Sequence, residues 1–471
     1  MNRGRGFVPF LCLLSLSALV RGADLPQRRI VAVLHVHTAV SARGVTEPQT
    51  LAVLAAKKNI DVLIPTDHFL NRWEWGLPPF EGLFRFSLHQ RDVLRFGTAR
   101  YAGLWKGLER VHPGLLILPG VEANPAYYWT GHPAKANLTV HDAWRHMLVF
   151  GLSPEALEKL PVQSNPEAGT IVWKRLIFPA AAAALGIALM VRWPAGLLVV
   201  VLGLLWGINQ RPFRRLPAAE SYDRGGYRAA QDVIDYVRGR GGLVVWAHPE
   251  VSKWIEPKKT YHGAFLATAP YPEAVLETDG ATGFGYFWEG SKIVGVPGGP
   301  WDQVLRGYLD GRRKFPLWAF GEVDWNAEGR EGVGLDQVQN ILWVGEKTEE
   351  AALDAFRKGR FYVLEKNGET VPAVERWEAA SDSKAAVSGE SLSWSAKSRL
   401  SVGISGTGRV RLEIVRNGEP WAKKEGALPV TWTADIPEPS GRGDFYRFTA
   451  RGEPGAIISN PIFIKKAEPG V

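Results

Sequence analysis

The sequence predicts an α/β domain that is interrupted by an apolar helical hairpin and followed by an all-β module. Short β-rich runs alternate with helical stretches over residues 29–361, which is typical of a mostly parallel sheet or barrel. An apolar run fills residues 176–208. After Trp377 the sequence pattern changes and predicts closely spaced short strands with Gly and Pro turns.

The composition excludes several classes of protein. The chain has 471 residues, of which 46% are hydrophobic, so it has ample apolar material for a folded core. A single cysteine, Cys12, excludes a disulfide scaffold. The net charge of +8 favours an anionic neighbour, such as a membrane surface or a phosphate substrate. No basic stretch interleaves with aromatic residues, so no nucleic-acid partner is expected.

The first residues are typical of a secretory signal peptide. Arg3 and Arg5 precede an apolar run over residues 7–20, and the small residues Gly22 and Ala23 follow it. An uncleaved anchor of the same orientation is the alternative for residues 1–23. In both cases we expect the chain after this segment to be exported.

The α/β domain is predicted to occupy residues 24–170 and, after the hairpin, residues 211–377. A strand over 30–34 precedes a helix over 48–58, for which Pro48 is a good start. Further strands are predicted at residues 62–64, 115–118, 147–149, 243–246, 274–276 and 317–320.

The apolar run is predicted to form a helical hairpin within an insert over residues 171–210. It has 33 residues and one charge, Arg192, which makes it too long for one membrane span and short for two. Trp193 and Pro194 follow Arg192 and break the run as a turn would. A buried helical pair in a soluble core is the alternative.

The orientation of this hairpin is left open by the sequence. Basic residues flank it on one side: Lys174, Arg175, Arg211, Arg214 and Arg215. The positive-inside rule would place that side in the cytoplasm, whereas the signal segment would place it outside. We expect a membrane-anchored protein on the extracytoplasmic side, with membrane lipid as a partner through the hairpin.

The last predicted unit is a small β-sandwich over residues 378–471. Its strands are predicted at residues 400–404, 410–415, 430–434, 445–450 and 457–464. Asn417 and Gly418 form a strong hairpin turn signal. This module has no catalytic cluster, so packing on the α/β domain or binding a partner or glycan is its expected role.

Polar residues able to bind metal end almost every predicted strand of the α/β domain. They are His35, His37, Asp67, His68, Glu122, His248, Glu277 and Asp324. In a parallel barrel the carboxyl ends of all strands open on one face, so these side chains would converge there. Imidazoles and carboxylates without thiolates suit Zn, Mn or Fe(II).

Each of these motifs alone is open to a plainer interpretation as a core, loop or surface residue. We expect Glu277 to lie near the site without binding metal. His146 leads the apolar run at 147–149 and is preferred to His141 as a ligand. The aromatic-rich residues 73–105 are expected in the pocket wall or at the membrane interface, with local core packing as the alternative.

Taken together, the motifs resemble the PHP superfamily, which is named for its polymerase and histidinol-phosphatase domains. The matching motifs are H-V-H-T at 35–38, T-D-H at 66–68, G-V-E at 120–122, H-M-L-V-F-G at 146–151, A-H-P at 247–249 and V-D-W-N at 323–326. Their order and spacing match nearly all of residues 29–345. The resemblance implies a distorted seven-stranded β/α barrel, here interrupted by the hairpin.

The resemblance also implies a centre of two or three divalent metal ions. The implied ligands of the first ion are His35, His37, Glu122 and Asp324. The implied ligands of the second ion are Glu122, His146 and His248, so that Glu122 is shared. His68 would belong to a third site.

The sequence departs from the family pattern near the third site. Asn326 stands where the last motif usually has histidine, and Arg43 lies near a position that is often acidic or histidine. Two ions still suffice for hydrolysis, because they activate water and stabilise charge on a phosphoryl or acyl oxygen. His68, oriented by Asp67, then becomes a candidate catalytic residue. Arg43 and Arg72 are candidates for binding an anionic substrate, or are solvated surface residues.

Three functions follow from these observations. The first is a metal-dependent phosphoesterase that acts on a small anionic ester. The second is a metallohydrolase of carboxyl, carbamate or amide esters, because residues 459–462 (S-N-P-I) resemble the tail of carbaryl-hydrolase-like enzymes. The third is a membrane-tethered, non-catalytic binding module, which the loss of the third-site histidine favours and the retained ligands oppose.

Overall fold

A computed structural model describes residues 28–169, 172–210, 226–260, 263–330, 333–368, 371–382 and 384–466. The predicted signal segment, Cys12 and three of the basic residues that flank the hairpin (Arg211, Arg214 and Arg215) lie outside these residues.

The α/β domain contains the first strands of the chain. They are β1 (Arg28–Val36), β2 (Val62–Pro65), β3 (Arg72–Gly76), β4 (Arg85–His89), β5 (Leu116–Ile117), β6 (Gly120–Ala123), β7 (Tyr128–Thr130), β8 (Thr139–His141), β9 (Met147–Phe150), β10 (Leu243–Trp246), β11 (Lys258–Lys259), β12 (Phe265–Ala267), β13 (Gly283–Phe287), β14 (Trp318–Gly321), β15 (Val338–Val344) and β16 (Phe361–Lys366). The C-terminal strands are β17 (Ala373–Ala380), β18 (Ala385–Val387), β19 (Ser391–Ser393), β20 (Arg399–Ser405), β21 (Arg409–Arg416), β22 (Glu419–Ala427), β23 (Val430–Asp435), β24 (Gly443–Gly452), β25 (Gly455–Ser459) and β26 (Ile462–Lys465).

The helices lie between the strands of the first part of the chain. They are α1 (Pro48–Lys57), α2 (Val93–Phe96), α3 (Thr98–Val111), α4 (Pro154–Glu158), α5 (Ile177–Met190), α6 (Gly196–Asn209), α7 (Arg228–Arg238), α8 (Ala274–Glu277), α9 (Pro300–Leu309) and α10 (Glu349–Lys358). Short 3-10 turns occupy Pro133–Lys135 and Trp173–Leu176. The predicted mixed α/β class is confirmed, and α1 begins at the predicted proline.

Two sheets build the body of the α/β domain. One contains β5, β2, β1, β15 and β16 in that order, and the other contains β6, β9, β10, β13 and β14. Pairing is parallel between β1 and β2 and along β10, β13 and β14, and antiparallel along β6, β9 and β10. Isolated parallel bridges join the two sheets at Val36 with Trp325 and at His68 with Glu122.

The prediction for residues 274–276 was wrong, because these residues form the short helix α8. In an apolar run of three or four residues, the spacing of apolar and polar residues does not distinguish a strand from a buried helical turn. Glu277 ends this helix and is exposed, so it does not reach the cluster of ligand candidates. The strand that stands in this part of the sheet is β13, whose two glycines conceal its β pattern.

The apolar insert folds as two antiparallel helices, α5 and α6, which we call the apolar hairpin. Arg192, Trp193 and Pro194 lie in the turn between them, as predicted. The buried residues of the pair are Pro179, Gly186, Gly196, Gly203 and Gly207, so the helices touch along a line of small residues. Within the described residues, Trp173–Met190 is the one helical stretch long and apolar enough to cross a membrane, with a mean hydropathy of 1.4.

The C-terminal strands form two facing layers around a second apolar core. One layer contains β18, β17, β20 and β23, and the other contains β22, β21, β24, β25, β26 and β19. β25 pairs with β16, so the second layer continues the first sheet of the α/β domain. Asn417 and Gly418 both have positive φ angles, of 55° and 89°, in the predicted turn between β21 and β22.

A small third apolar core lies beside the predicted metal ligands His68 and His146. The antiparallel pair β3–β4, which we call the arm, packs against a sheet of β11, β12, β8 and β7. Together they form what we call the cap, with Trp73, Leu88, Tyr127 and Val140 in its core. The aromatic-rich residues 73–105 therefore contribute to two cores: Trp73 lies in the cap, and Trp105 is buried in the main core.

Candidate metal centre

Strand ends from both sheets bring the predicted ligands together. The ligand candidates come from the end of β1 (His35, His37), the segment after β2 (His68), β6 (Glu122), the residue before β9 (His146), the segment after β10 (His248) and the segment after β14 (Asp324). The histidines and Glu122 are at most 5% exposed. The structure therefore joins six separated segments in one buried cluster.

Glu122 lies at the middle of this cluster. Five imidazole nitrogens surround its two carboxylate oxygens, at 2.6 Å (His146 Nδ1), 3.0 Å (His35 Nε2), 3.0 Å (His68 Nδ1), 3.2 Å (His248 Nε2) and 3.3 Å (His37 Nε2). Each of the two oxygens contacts at least two imidazoles, so the carboxylate is shared by all five histidines.

The donor atoms fall into two groups that share Glu122. One group is His35, His37 and Glu122, and the other is His68, Glu122 and His146. Asp324 adds to the first group, with Oδ1 at 3.4 Å from His35 Nε2 and 3.3 Å from His37 Nε2. His68 therefore stands among the ligand candidates of the second ion, although the sequence assigned it a third site or a catalytic role.

Five buried donor atoms make no well-directed hydrogen bond among the described residues, although some of them lie within 3.3 Å of another ligand candidate. They are His37 Nδ1, His37 Nε2, Glu122 Oε2, His146 Nδ1 and Asp324 Oδ1. A buried polar atom without a partner costs about 1–3 kcal/mol. Several of them in one cluster are the arrangement expected where ions complete the bonding, and the set of imidazoles and carboxylates fits Zn, Mn or Fe(II).

The ionisation of the cluster differs from one histidine to the next. Burial lowers the pKa of His37 to about 3 and that of His146 to about 4. Burial would also lower the pKa of His35 and of His248, but the carboxylates around them raise both. Burial alone would raise the pKa of Glu122, but the surrounding histidines hold it well below its usual range. Divalent ions bind an ionised carboxylate and neutral imidazoles, so a histidine that carries two protons, as the raised pKa of His35 favours, would release one when an ion binds.

Glu322 supports the ligands from behind and was missed by the sequence analysis. Its Oε2 lies 2.8 Å from His35 Nδ1, and its Oε1 accepts a hydrogen bond of 2.6 Å from the backbone N–H of His248. A carboxylate behind a ligating histidine fixes the ring and its tautomer. The alternation of acids at Glu322 and Asp324, after a strand, is the signal that would have found it.

Tyr271 supports the same side of the cluster. Its hydroxyl donates to Ala247 O at 2.6 Å, accepts from the backbone N–H of His146 at 3.2 Å, and lies 3.1 Å from His248 Nδ1. One phenol thus positions two ligand segments that are far apart in the chain. Nothing local in the sequence marks this tyrosine.

Three of the ligand candidates have left-handed backbone conformations. The φ angles are 67° at His35, 30° at His248 and 43° at Asp324. Such conformations cost about 1–3 kcal/mol at non-glycine residues and persist where the surrounding structure enforces them. Here they turn the side chains at strand ends into the cluster.

Asp67 does not orient His68 as predicted. Its carboxylate accepts hydrogen bonds from Thr38 N, Thr38 Oγ1 and Ser41 Oγ, at 2.7, 2.7 and 2.8 Å. It therefore fastens the loop that follows the first ligand motif. Arg43 lies in this loop and contacts Asp324 Oδ2 at 2.7 Å, so the loop is linked to the ligand cluster.

The other polar residues singled out in the sequence have structural roles. Arg72 contacts Glu74 at 2.5 Å within the arm. His141 Nε2 lies 2.7 Å from Thr130 Oγ1, outside the cluster, which agrees with the preference for His146. In the tail motif, Asn460 bonds both backbone groups of Ala319 in β14, at 2.8 and 3.3 Å.

A pocket of about 500 Å³ opens over the cluster. The lining includes the ligand candidates His68, His248 and Asp324, and Asn326 also faces it. The pocket combines cationic side chains (Arg43, Lys253 and Arg330) with indole rings (Trp144, Trp254 and Trp288). It can therefore accept an anionic group at the cluster and an apolar group against its walls.

Comparison with known proteins gives matches among solved structures. No family model and no curated protein matches the sequence. The chain is similar to a two-domain Bacteroides vulgatus protein that contains a predicted PHP-like metal-dependent phosphoesterase, with 11% identity, a TM-score of 0.35, and coverage of 94% of this chain and 97% of that one. The matches also include a protein from Bifidobacterium adolescentis assigned as a metal-dependent phosphoesterase, with 17% identity, a TM-score of 0.26, and coverage of 64% and 90%. A third is an amidohydrolase of Chromobacterium violaceum with bound sulfate, with 18% identity, a TM-score of 0.29, and coverage of 64% and 89%. These matches do not show the carbaryl-hydrolase branch.

Proposed function

We propose that this chain is a PHP-type metal-dependent phosphoesterase. The observation that carries the proposal is the single buried carboxylate of Glu122 with five imidazole nitrogens within 3.3 Å. A buried cluster of this kind is hard to explain as packing, because five of its donor atoms make no hydrogen bond within the described residues. Divalent ions would use these donor atoms as ligands.

The proposed ligand sets follow the two groups of donor atoms. His35, His37, Glu122 and Asp324 would hold one ion, and Glu122, His68, His146 and His248 would hold the other. Two such ions would activate water and neutralise charge on the phosphoryl oxygens. The identity of the ions is open among Zn, Mn and Fe(II), because these ligands suit all three.

The protein's own groups would bind and orient the ester. Lys253 and Arg330 face the pocket and would attract a phosphate, and Arg43 stands between the pocket and Asp324. In the hydrolysis a water oxygen forms a bond to phosphorus, and the bond from phosphorus to the alcohol oxygen breaks. The leaving oxygen takes one proton, so the products are an alcohol and inorganic phosphate.

We also infer the seven-stranded barrel that the family resemblance implies. Its strands would be β1, β2, β6, β9, β10, β13 and β14. Ladder pairing links β1 with β2 and runs from β6 to β14, and the two isolated bridges stand where the remaining contacts of a closed ring would be. The ligand candidates lie at the ends of these strands or beside them.

The apolar hairpin is proposed to insert into a lipid bilayer. Large apolar side chains are exposed all round both helices, including Phe178 at 70%, Leu198 at 61% and Leu202 at 56%. A helix that docks on a protein has one apolar face, whereas these have no polar face. The stretch Trp173–Met190 is long enough to cross a bilayer, but α6 has 14 residues and is about 21 Å long, whereas the hydrocarbon layer is about 30 Å thick. The shorter helix would therefore make the hairpin enter and return on one side.

Vesicle flotation tests this attachment. The full chain should float with phosphatidylcholine and phosphatidylglycerol vesicles, and the variant Leu198→Asp with Leu202→Asp should remain in the dense fraction. Val53→Asp changes an apolar residue of α1 that is 55% exposed and serves as the matched control. Equal flotation of the hairpin variant would refute the attachment. The extracytoplasmic side is proposed from the signal segment alone.

Metal content and ester hydrolysis test the catalytic proposal. Purified protein should hold about two divalent ions and hydrolyse p-nitrophenyl phosphate with added Mn or Zn. His35→Ala should lose both properties, while His112→Ala, which changes a histidine outside the cluster, should keep them. Turnover of p-nitrophenyl acetate alone would support the second function, a carboxyl ester hydrolase. Absence of metal and of turnover would leave the non-catalytic binding module.

A further inference from the structure

The loop between β3 and β4, at the tip of the arm, contacts the apolar hairpin. Gly82 N donates to Asn209 Oδ1 at 2.9 Å, and Asn209 Nδ2 donates to Pro79 O at 2.9 Å. A Cβ atom on Gly82 would lie 2.1 Å from the carbonyl oxygen of Asn209, so only glycine allows this approach. Asn209 ends α6 at the base of the hairpin, where the hairpin meets the body of the protein.

The tip and outer edge of the arm expose aromatic side chains. Phe80 is 47% exposed, Phe84 60% and Phe86 38%. The rings of Phe80 and Phe84 lie 6.1 Å apart, in the loop whose Gly82 contacts the base of the hairpin. Exposed aromatic clusters of this kind mark surfaces that contact a ligand, a partner or a membrane.

The other end of the arm reaches the pocket. Asn71 and Gln90 flank the two strands and line the pocket wall, and Gln90 N donates to Asn71 O at 3.0 Å. The five residues of β3 cover about 17 Å at about 3.3 Å per residue. One two-stranded element therefore runs from the hairpin base to the rim of the proposed active site.

The cap also supplies an apolar wall to the pocket. Trp144 packs against the cap core and lines the pocket, with its ring 5.3 Å from the ring of His146. Trp254 stacks on Trp144 at 5.0 Å. An apolar chain that passes along the arm would meet these indoles, while an anionic head would meet Lys253 and Arg330.

We propose that the substrate is a membrane-resident amphiphile, a phosphate ester with a long apolar chain that enters the pocket along the arm. This proposal rests on the proposed phosphoesterase function and adds the substrate class. The hairpin would hold the enzyme at the bilayer, and Phe80 and Phe84 would contact the chain of the substrate as it leaves the lipid. The indoles would bind the first part of that chain beside the reacting phosphate.

The test compares a long and a short alkyl phosphate with the full-length, metal-loaded protein. Hexadecyl phosphate is supplied in phosphatidylcholine vesicles, and ethyl phosphate is supplied in solution with the same vesicles present. We expect kcat/KM for the long ester to exceed that for the short one by at least about tenfold. The variant Phe80→Ser with Phe84→Ser should lose most of this ratio and keep its turnover of ethyl phosphate.

Two controls separate the possible failures. Val111→Ser changes an apolar residue of α3 that is 70% exposed and should keep the wild-type ratio. Equal kcat/KM for both esters, or an equal loss for both in the Phe variant, would refute the amphiphile proposal and leave the phosphoesterase standing. No turnover of either ester or of p-nitrophenyl phosphate would refute the phosphoesterase itself.

Discussion

Replacing Glu322 by glutamine tests how the first ion's ligands are held. In the structure the carboxylate of Glu322 faces two groups, His35 Nδ1 at 2.8 Å and the backbone N–H of His248 at 2.6 Å. It accepts from both only when His35 carries its proton on Nδ1. Although burial lowers the pKa of His35, the nearby carboxylates raise it, so a bound ion would have to displace the Nε2 proton and take up the lone pair beside Glu122.

The amide of glutamine cannot satisfy both groups. Its oxygen can accept from His248 N, but its NH₂ group then faces His35 Nδ1 and requires that atom to accept. The proton of His35 would move to Nε2 and block the lone pair that binds metal. Loss of such a supporting group costs about 10–100-fold in metal affinity, or about 1.4–2.7 kcal/mol.

Competition with a chromophoric chelator measures this change. We expect Glu322→Gln to weaken binding of the first ion by about 10–100-fold while the far-ultraviolet circular dichroism stays unchanged. Glu365→Gln is the matched control, because Glu365 is a partly buried carboxylate on β16, outside the cluster. A wild-type affinity in Glu322→Gln would refute the argument from the tautomer.

Four further predictions concern stability and the site. Gly285→Ala should weaken metal binding like Glu322→Gln, because the new Cβ would lie 2.0 Å from Glu322 Oε1; the same chelator assay checks it. Asn460→Ala should lower the free energy of unfolding by about 1–3 kcal/mol in urea titrations, because it leaves the buried N–H and C=O of Ala319 without their side-chain partner. Arg447→Met should lower the free energy of unfolding by about 3–5 kcal/mol, because it leaves the buried carboxylate of Asp302 without its ion-pair partner. The double variant with Asp302→Leu should recover most of that loss in the same titrations. Removing metal with EDTA should lower the unfolding free energy by about 2.7 kcal/mol relative to protein at a free metal concentration of 100 Kd; an unchanged melting temperature would argue against a resident ion.

Local patterns gave much of the fold correctly. The helix at Pro48 was predicted because proline and the following apolar spacing define a helix start within a few residues. The turn at Asn417 and Gly418 was predicted because few residues accept positive φ angles. The apolar hairpin was predicted because its length, its lack of charge and its break at Pro194 are all properties of a continuous segment.

Short segments without a clear period were predicted less well. Residues 274–277 form a helical turn, although their sequence is equally compatible with a strand. The strand β13 contains two glycines, which weaken the sequence pattern typical of a strand. The glycine at 285 is needed because Glu322 occupies the space beside it. The reason for this glycine lies in a residue 37 positions away, as the two residue numbers show.

The sequence by itself determined which side chains could bind metal, because ligand chemistry belongs to the residue type and strand ends can be recognised locally. Only the tertiary structure decided how these side chains group around Glu122, that His68 joins them and that Glu322 and Tyr271 hold them. It also decided that the C-terminal strands continue the first sheet and that the arm joins the apolar hairpin to the pocket. These features are contacts between segments distant in the chain, and no local period or composition encodes a distance between them.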